Sequence, residues 1–93
     1  MKTIELLPQV GSFAENKDTA REIRLNQITP ILESGEDLVL DFRGVDSLTQ
    51  SFCHALLSQL IRNYGIDVLD RISFLNCTEE VKVIIEIVID YMQ

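Results

Sequence analysis

The chain has 93 residues, of which 46% are hydrophobic, and this content argues against an intrinsically disordered protein. The length allows one folded domain over residues 1–93. Eight basic residues against fifteen acidic residues give a formal net charge of −7 at pH 7. This charge argues against direct binding of a nucleic-acid backbone, which is itself negative.

The sequence predicts a cytoplasmic protein that does not cross a membrane. The longest apolar stretch, residues 81–89, is too short to span a bilayer and is interrupted by Lys82 and Glu86. The chain opens without a signal-peptide pattern. Cys53 and Cys77 form no CxxC pair, and we expect both to be free thiols in a reducing compartment.

The first third of the chain predicts a strand, a loop and a helix. Residues 3–7 are β-prone and are followed by Pro8, which is typical of an edge strand. A loop follows over residues 11–15. A helix capped by Asn16 or Asp18 then extends to Gly35, and the proline at position 30 predicts a kink or a loosened last turn.

Residues 38–64 predict a buried strand, a turn and a long helix. Residues 38–42 form the strand, residues 43–47 break it, and a helix starts at Thr49 or Ser51 and continues to Tyr64. At 100° per residue its apolar face comprises Phe52, Cys53, Leu56, Leu57, Leu60 and Tyr64. Its polar stripe comprises Ser51, His54, Ser58 and Arg62.

The last part of the chain predicts a strand over residues 71–75, followed by an ambiguous segment. Residues 81–90 alternate like a strand, but their charges recur at helical spacing, and a cap at Asn76 or Thr78 favours a helix. In that helix Val83 and Ile87 lie near solvent. We expect them to mediate weak self-association or contact with another protein.

The order of elements is β-α-β-α-β-α, which predicts an α/β domain with a mostly parallel sheet of three or four strands packed by helices. The predicted core comprises Leu40, Phe42, Leu56, Leu60, Phe74 and Ile85.

The sequence contains little that indicates catalysis, so we expect a protein that is not an enzyme and that needs no cofactor or metal. The only histidine, His54, lies on the polar stripe, and Cys53 beside it points to a different helix face. Asp41 and Asp46 bracket a turn and could hold a cation or cap the turn, the commoner use of Asp there. Arg43 is expected to form a solvated ion pair with one of them.

Residues 38–52, LVLDFRGVDSLTQSF, resemble a STAS domain, the fold of anti-sigma-factor antagonists. The resemblance is closer to a family of small bacterial and phage STAS-like proteins of unknown function, and it covers roughly residues 10–92. In the antagonists a partner kinase phosphorylates the serine that opens this helix, and Ser51 occupies that position here. The neighbouring positions differ, since Thr49, Gln50 and Phe52 replace an acidic residue, a serine and a glycine. The alternative is that Ser51 only starts the helix.

These observations favour a regulatory protein–protein interaction module. The resemblance implies a GHKL-type ATPase or kinase as its partner. The expected partner-binding residues are Arg43, Asp46, Ser47, Gln50, Ser51, His54, Ser58 and Arg62. The alternative is a small acidic phage-type inhibitor, such as an anti-CRISPR protein, that binds the basic channel of a nucleic-acid-binding protein.

Overall fold

The computed structural model describes residues 1–92, and parallel strands form its framework. In chain order the elements are β1 (Lys2–Glu5), α1 (Leu7–Val10), β2 (Phe13–Ala14), α2 (Lys17–Ile23), a π-helical turn (Arg24–Ile28), α3 (Thr29–Glu33), β3 (Leu38–Asp41), β4 (Ser47–Leu48), α4 (Gln50–Tyr64), a 3-10 helix (Ile66–Arg71), β5 (Ile72–Leu75) and α5 (Glu79–Met92). The main sheet has three parallel strands in the order β1-β3-β5. The α/β class and the parallel sheet predicted from the sequence are confirmed.

The two faces of the main sheet differ in burial. Both crossovers, from β1 to β3 and from β3 to β5, step in the same direction across the sheet. Right-handed connections of this kind place their helices on one face. On that face Ile4, Leu40 and Ile72 are buried. On the other face Thr3 and Ser73 are exposed, so that the sheet is covered by helices on one side.

Helix α4 is the centre of the helical layer, because it packs against both α2 and α5. Of the predicted core, Leu40, Phe42, Leu56, Leu60 and Ile85 are buried. Phe74 is only partly buried, because β5 is an edge strand, although its ring lies 6.3 Å from that of Phe42. The predicted apolar face of α4 is thus buried, apart from Tyr64, which is partly buried.

The helix predicted to follow Asn16 is interrupted. The Asn16 side chain accepts hydrogen bonds from the backbone N–H groups of Asp18 and Thr19, as expected of a cap. The predicted kink takes the form of the π-helical turn, which lies before Pro30. Pro30 itself occupies the first turn of α3. Proline is tolerated in a first turn because its missing N–H would have no helical partner there.

A second, two-stranded parallel sheet pairs β2 with β4. It contradicts the prediction that residues 11–15 are only loop. Its strands have two residues each, too few to give an alternating pattern in the sequence. The pairing matters for the site, because it fixes the segment that leads into α4.

The ambiguous final segment is helical, as the caps favoured. The backbone N–H of Val81 donates to the Thr78 hydroxyl, 3.2 Å away, which caps the first turn of α5. Val81, Ile85 and Val88 are buried against the rest of the domain. Within residues 1–92 none of the helices combines the length and apolar character that a transmembrane span requires.

Candidate functional site

The start of α4 presents Ser51 to solvent. The Thr49 hydroxyl accepts a hydrogen bond of 3.1 Å from the backbone N–H of Phe52, so Thr49 is the residue that caps the helix. Ser51 lies in the first turn and is exposed. The capping role that the sequence left open for Ser51 therefore belongs to Thr49.

A groove of about 430 Å³ lies beside Ser51, and we call it the α4–α5 groove. Three helices form it: the first turns of α4, the second half of α5 and the start of α2. The π-helical turn is held to α4 next to the groove, because the Arg24 guanidinium donates to the backbone carbonyl of Ala55 at 3.1 Å. The lining residues are Lys17, Gln50, Ser51, His54, Ala55, Ile87, Val88 and Tyr91.

The wall of the groove contains an aromatic contact between α4 and α5. The rings of His54 and Tyr91 lie edge to face, with centroids 6.4 Å apart. His54 is partly buried, whereas Tyr91 is 78% exposed. The groove thus offers an aromatic surface, an aliphatic residue in Ile87 and polar groups in Ser51 and Lys17. This mixture is typical of a surface that binds another protein.

The polar stripe predicted along α4 is not continuous. Ser58 is only 4% exposed, because α4 is the middle helix and both of its neighbours pack against it. Ser58 is therefore unsuited to contact a partner, contrary to the prediction. Arg62 is exposed, but it lies eleven positions beyond Ser51 on the helix, about 16 Å away at 1.5 Å per residue. Of the stripe, only Ser51 and His54 line the groove.

The turn after β3 is held by hydrogen bonds to the Asp41 side chain. The Asp41 carboxylate accepts hydrogen bonds from the Asn76 side-chain amide and from the backbone N–H of Arg43, each 3.0 Å long. These bonds, that of Asn76 first, lower the pKa of Asp41 below its usual value. Asp41 thus caps the turn, the commoner of the two roles considered. The expected ion pair is not formed as a close contact, because among the residues described the Arg43 guanidinium makes no salt bridge with Asp41 or Asp46. Its charge nevertheless also lowers the pKa of Asp41.

The other turn residues connect the turn to its neighbours. The backbone of Asp46 donates to the carbonyl of Ser12 at 2.8 Å and accepts from the Thr78 hydroxyl at 2.8 Å. Arg43 and Asp46 are exposed. Ser47 belongs to β4 and lines a separate apolar groove beside α5. The predicted partner-binding residues are therefore divided between two grooves, a turn and the far end of α4.

The two cysteines differ in burial, since Cys53 is buried and Cys77 is only partly buried. Cys53 and Cys77 are free, and burial raises the pKa of the Cys53 thiol to about 12. Within residues 1–92 no group of three His, Cys, Asp or Glu side chains is arranged to hold a metal ion.

Four residues that line the α4–α5 groove were not identified from the sequence: Lys17, Ala55, Val88 and Tyr91. Lys17 comes from the start of α2, and nothing in the sequence indicates that it meets α4. Tyr91 could have been found, because it continues the helical spacing of Val83 and Ile87 by one more turn. Ala55 and Val88 line the groove only because α4 and α5 face each other, and no local sequence pattern indicates this.

Comparison with known proteins supports the relationship that the central motif indicated. A family model described as a STAS-like domain of unknown function (DUF4325) matches residues 19–82, from α2 to the start of α5. Searches among curated proteins and among solved structures returned no match. The matched region contains β3, the capped start of α4 and β5, and it spans more than half of the chain. The chain therefore belongs to the family of STAS-like domains of unknown function.

Proposed function

We propose that this domain is a non-enzymatic regulatory module that binds a partner protein through the α4–α5 groove. The observation that carries the proposal is the position of Ser51, exposed in the first turn of α4 and lining that groove. Membership in the STAS-like family supports an interaction role.

Phosphorylation of Ser51 is the switch that we assign to this groove. A phosphate adds about 1.5–2 negative charges and three acceptor oxygens. The N-terminus of a helix tolerates such a charge, because its free N–H groups carry partial positive charge. The Thr49 cap would remain, so the fold should survive phosphorylation. The phosphate group, however, would occupy part of the groove and place negative charge beside Ile87 and Tyr91.

The partner that the STAS relationship suggests is a GHKL-type ATPase or a serine kinase. Such an enzyme would bind the unmodified groove and transfer the γ-phosphoryl group of ATP to the Ser51 hydroxyl, releasing ADP and a proton. The phosphorylated domain would then bind less tightly, since the new charge must be desolvated in the interface.

The experiment is a pull-down from lysate with the wild-type domain and Ser51→Asp. Ser73→Asp is the matched control, because it adds the same charge at an exposed serine of β5 on the sheet face opposite the helices. The proposal is supported by an ATPase or serine kinase that the wild type and Ser73→Asp capture and Ser51→Asp does not. Equal capture by all three proteins would remove Ser51 from the binding surface.

A second candidate is the small acidic inhibitor of phage type, and the formal charge of −7 favours it. Such a protein would occupy the basic channel of a nucleic-acid-binding enzyme, as an anti-CRISPR protein does. A nuclease or Cas subunit captured equally by the wild type and Ser51→Asp would select this function over the switch.

A further inference from the structure

An exposed apolar stripe follows one side of α5. Val83, Ile87 and Tyr91 recur every fourth residue and are 49%, 42% and 78% exposed. Residues spaced in this way lie above one another on a helix surface. The opposite side of α5 is already buried through Val81, Ile85 and Val88. The helix is therefore apolar on both sides, and the side with Val83, Ile87 and Tyr91 remains largely exposed.

A groove adjoins this stripe at the start of α5, and we call it the β4–α5 groove. It has a volume of about 360 Å³ and lies between α5 and the short strand β4. Leu48, Val83 and Ile84 supply its apolar lining, and Glu79 and Glu80 line it as well. It is separate from the groove that contains Ser51, because the two share no lining residue.

The charges on α5 are mostly negative, whereas Lys17 of α2 lies at the other end of the stripe, in the groove that Ile87 and Tyr91 line. Helix α5 contains four acidic residues, Glu79, Glu80, Glu86 and Asp90, against one basic residue, Lys82. Lys82 lies 3.8 Å from Glu79 and so neutralises part of that charge. An apolar surface bordered by carboxylates is complementary to apolar side chains bordered by Lys or Arg.

A second copy of the chain fits this surface less well than a basic partner does. A symmetric contact through α5 would bring two sets of acidic residues together, in protomers that each have a formal charge of −7. Repulsion between like charges opposes such a contact at low salt. A basic amphipathic helix covers the same apolar area and gains electrostatic attraction.

We propose that the β4–α5 groove, which Val83 lines, binds a basic amphipathic helix of a partner protein. The apolar face of that helix enters the groove, and its Lys or Arg residues meet Glu79 and Glu80. The proposal rests on the interaction function proposed above, but it concerns a different surface from Ser51. It specifies the chemistry of the partner segment as helix-in-groove recognition.

The test measures fluorescence anisotropy with a labelled amphipathic peptide of leucine and lysine, about 18 residues or five helical turns long. A peptide with the same leucine pattern and glutamate in place of lysine is the charge control. Only the lysine peptide should bind the wild-type domain. Val83→Ser should weaken binding by about tenfold or more. Leu25→Ser is the matched variant, because Leu25 is also 49% exposed but lies on the π-helical turn; it should leave binding unchanged.

The carboxylates are tested in the same way. Glu79→Gln combined with Glu80→Gln should weaken binding several-fold, and the effect should shrink from about 50 mM to about 300 mM salt as charges are screened. Asp67→Asn combined with Asp70→Asn removes the same charge from exposed residues of the 3-10 helix. An equal loss in this control pair would show only non-specific attraction and would overturn the proposal. Binding unaffected by Val83→Ser would overturn it as well.

Sedimentation tests whether a second copy of the chain covers the stripe, and the Ser51→Asp variant tests whether the two proposals are independent. A dimer that forms at high salt and disappears in Val83→Ser would assign the stripe to a second copy and contradict the proposal. Ser51→Asp should still bind the lysine peptide. If the pull-down captures the same proteins with Ser51→Asp as with the wild type, while the lysine peptide binds as expected, the phosphorylation switch is wrong and the β4–α5 groove remains a binding site. If Ser51→Asp abolishes capture but the lysine peptide does not bind, only the proposal for the β4–α5 groove is wrong.

Discussion

The carboxylate of Asp41 and the side-chain amide of Asn76 are joined by a hydrogen bond of 3.0 Å. Asp41 ends β3, and Asn76 directly follows β5, so this bond joins the carboxyl ends of two neighbouring parallel strands. Asn76 has a φ of +59°, in the left-handed region that asparagine tolerates better than most residues. The contact thus depends on the identity of both residues.

This relationship predicts a loss of stability in acid. The pKa of Asp41 is lowered in the folded protein, mainly by the Asn76 bond and next by the Arg43 N–H. A lowered folded pKa means that the charged form stabilises the fold. That stability is fully present above the unfolded value of 3.8 and is lost as pH falls below it. Urea unfolding measured between about pH 3 and pH 7 should show this decline.

Asp41→Asn tests the origin of the decline. The variant should have a lower urea midpoint than the wild type near neutral pH and a smaller decline below pH 3.8, the usual value of that group. Asp70→Asn, at an exposed residue of the 3-10 helix, should behave like the wild type. An identical acid decline in Asp41→Asn and the wild type would show that other carboxylates cause it.

The helix cap predicts different results for two neighbouring hydroxyl residues. Thr49→Ala removes the acceptor for the Phe52 N–H and should lower the free energy of unfolding by about 0.5–2 kcal/mol. Ser51→Ala should change it by less than about 0.5 kcal/mol, since Ser51 is exposed and the cap is made elsewhere. Chemical denaturation measures both. A larger cost for Ser51→Ala than for Thr49→Ala would return the capping role to Ser51.

The faces of α4 can be tested in the core. Leu60 is buried in the core, and Leu60→Ala should cost about 2–5 kcal/mol of unfolding free energy. Leu25→Ala removes the same atoms from a side chain that is 49% exposed, and it should cost well under half of that. Equal costs in thermal or urea unfolding would contradict the assignment of the buried face.

Local patterns in the sequence predicted most of the fold. The alternation of residues 38–42, the spacing of the apolar residues in α4 and the caps at Asn16 and Thr78 each depend on neighbours in the chain. The β2–β4 pair could not be predicted in this way, because two-residue strands have no period and their partner lies far away in sequence. The π-helical turn was indicated only indirectly, by Pro30 beyond it.

The candidate site was predicted less completely than the fold, because grooves form between elements. Ser51 and His54 were identified from the polar stripe of α4, and Gln50 from the turn that precedes it. Lys17 joins them only through the packing of α2 on α4, which no local pattern specifies. Ser58 failed for the same reason: its position on the helical wheel is polar and outward, but the neighbouring helices bury it.

The two thiols should differ in reactivity. The thiolate is the reactive form of cysteine, and burial raises the pKa of Cys53 to about 12, so this residue should be nearly inert in the folded protein. Burial also raises the pKa of Cys77, but that side chain is partly exposed and lies near Lys82, whose charge acts in the opposite direction. With a disulfide reagent near about pH 8, one thiol should react in the native protein and the second only after denaturation. Cys77→Ser is the decisive variant, since it should abolish the native reaction and leave the denatured one. Rapid labelling of Cys77→Ser in the native state would mean that α4 does not hold Cys53 against the core.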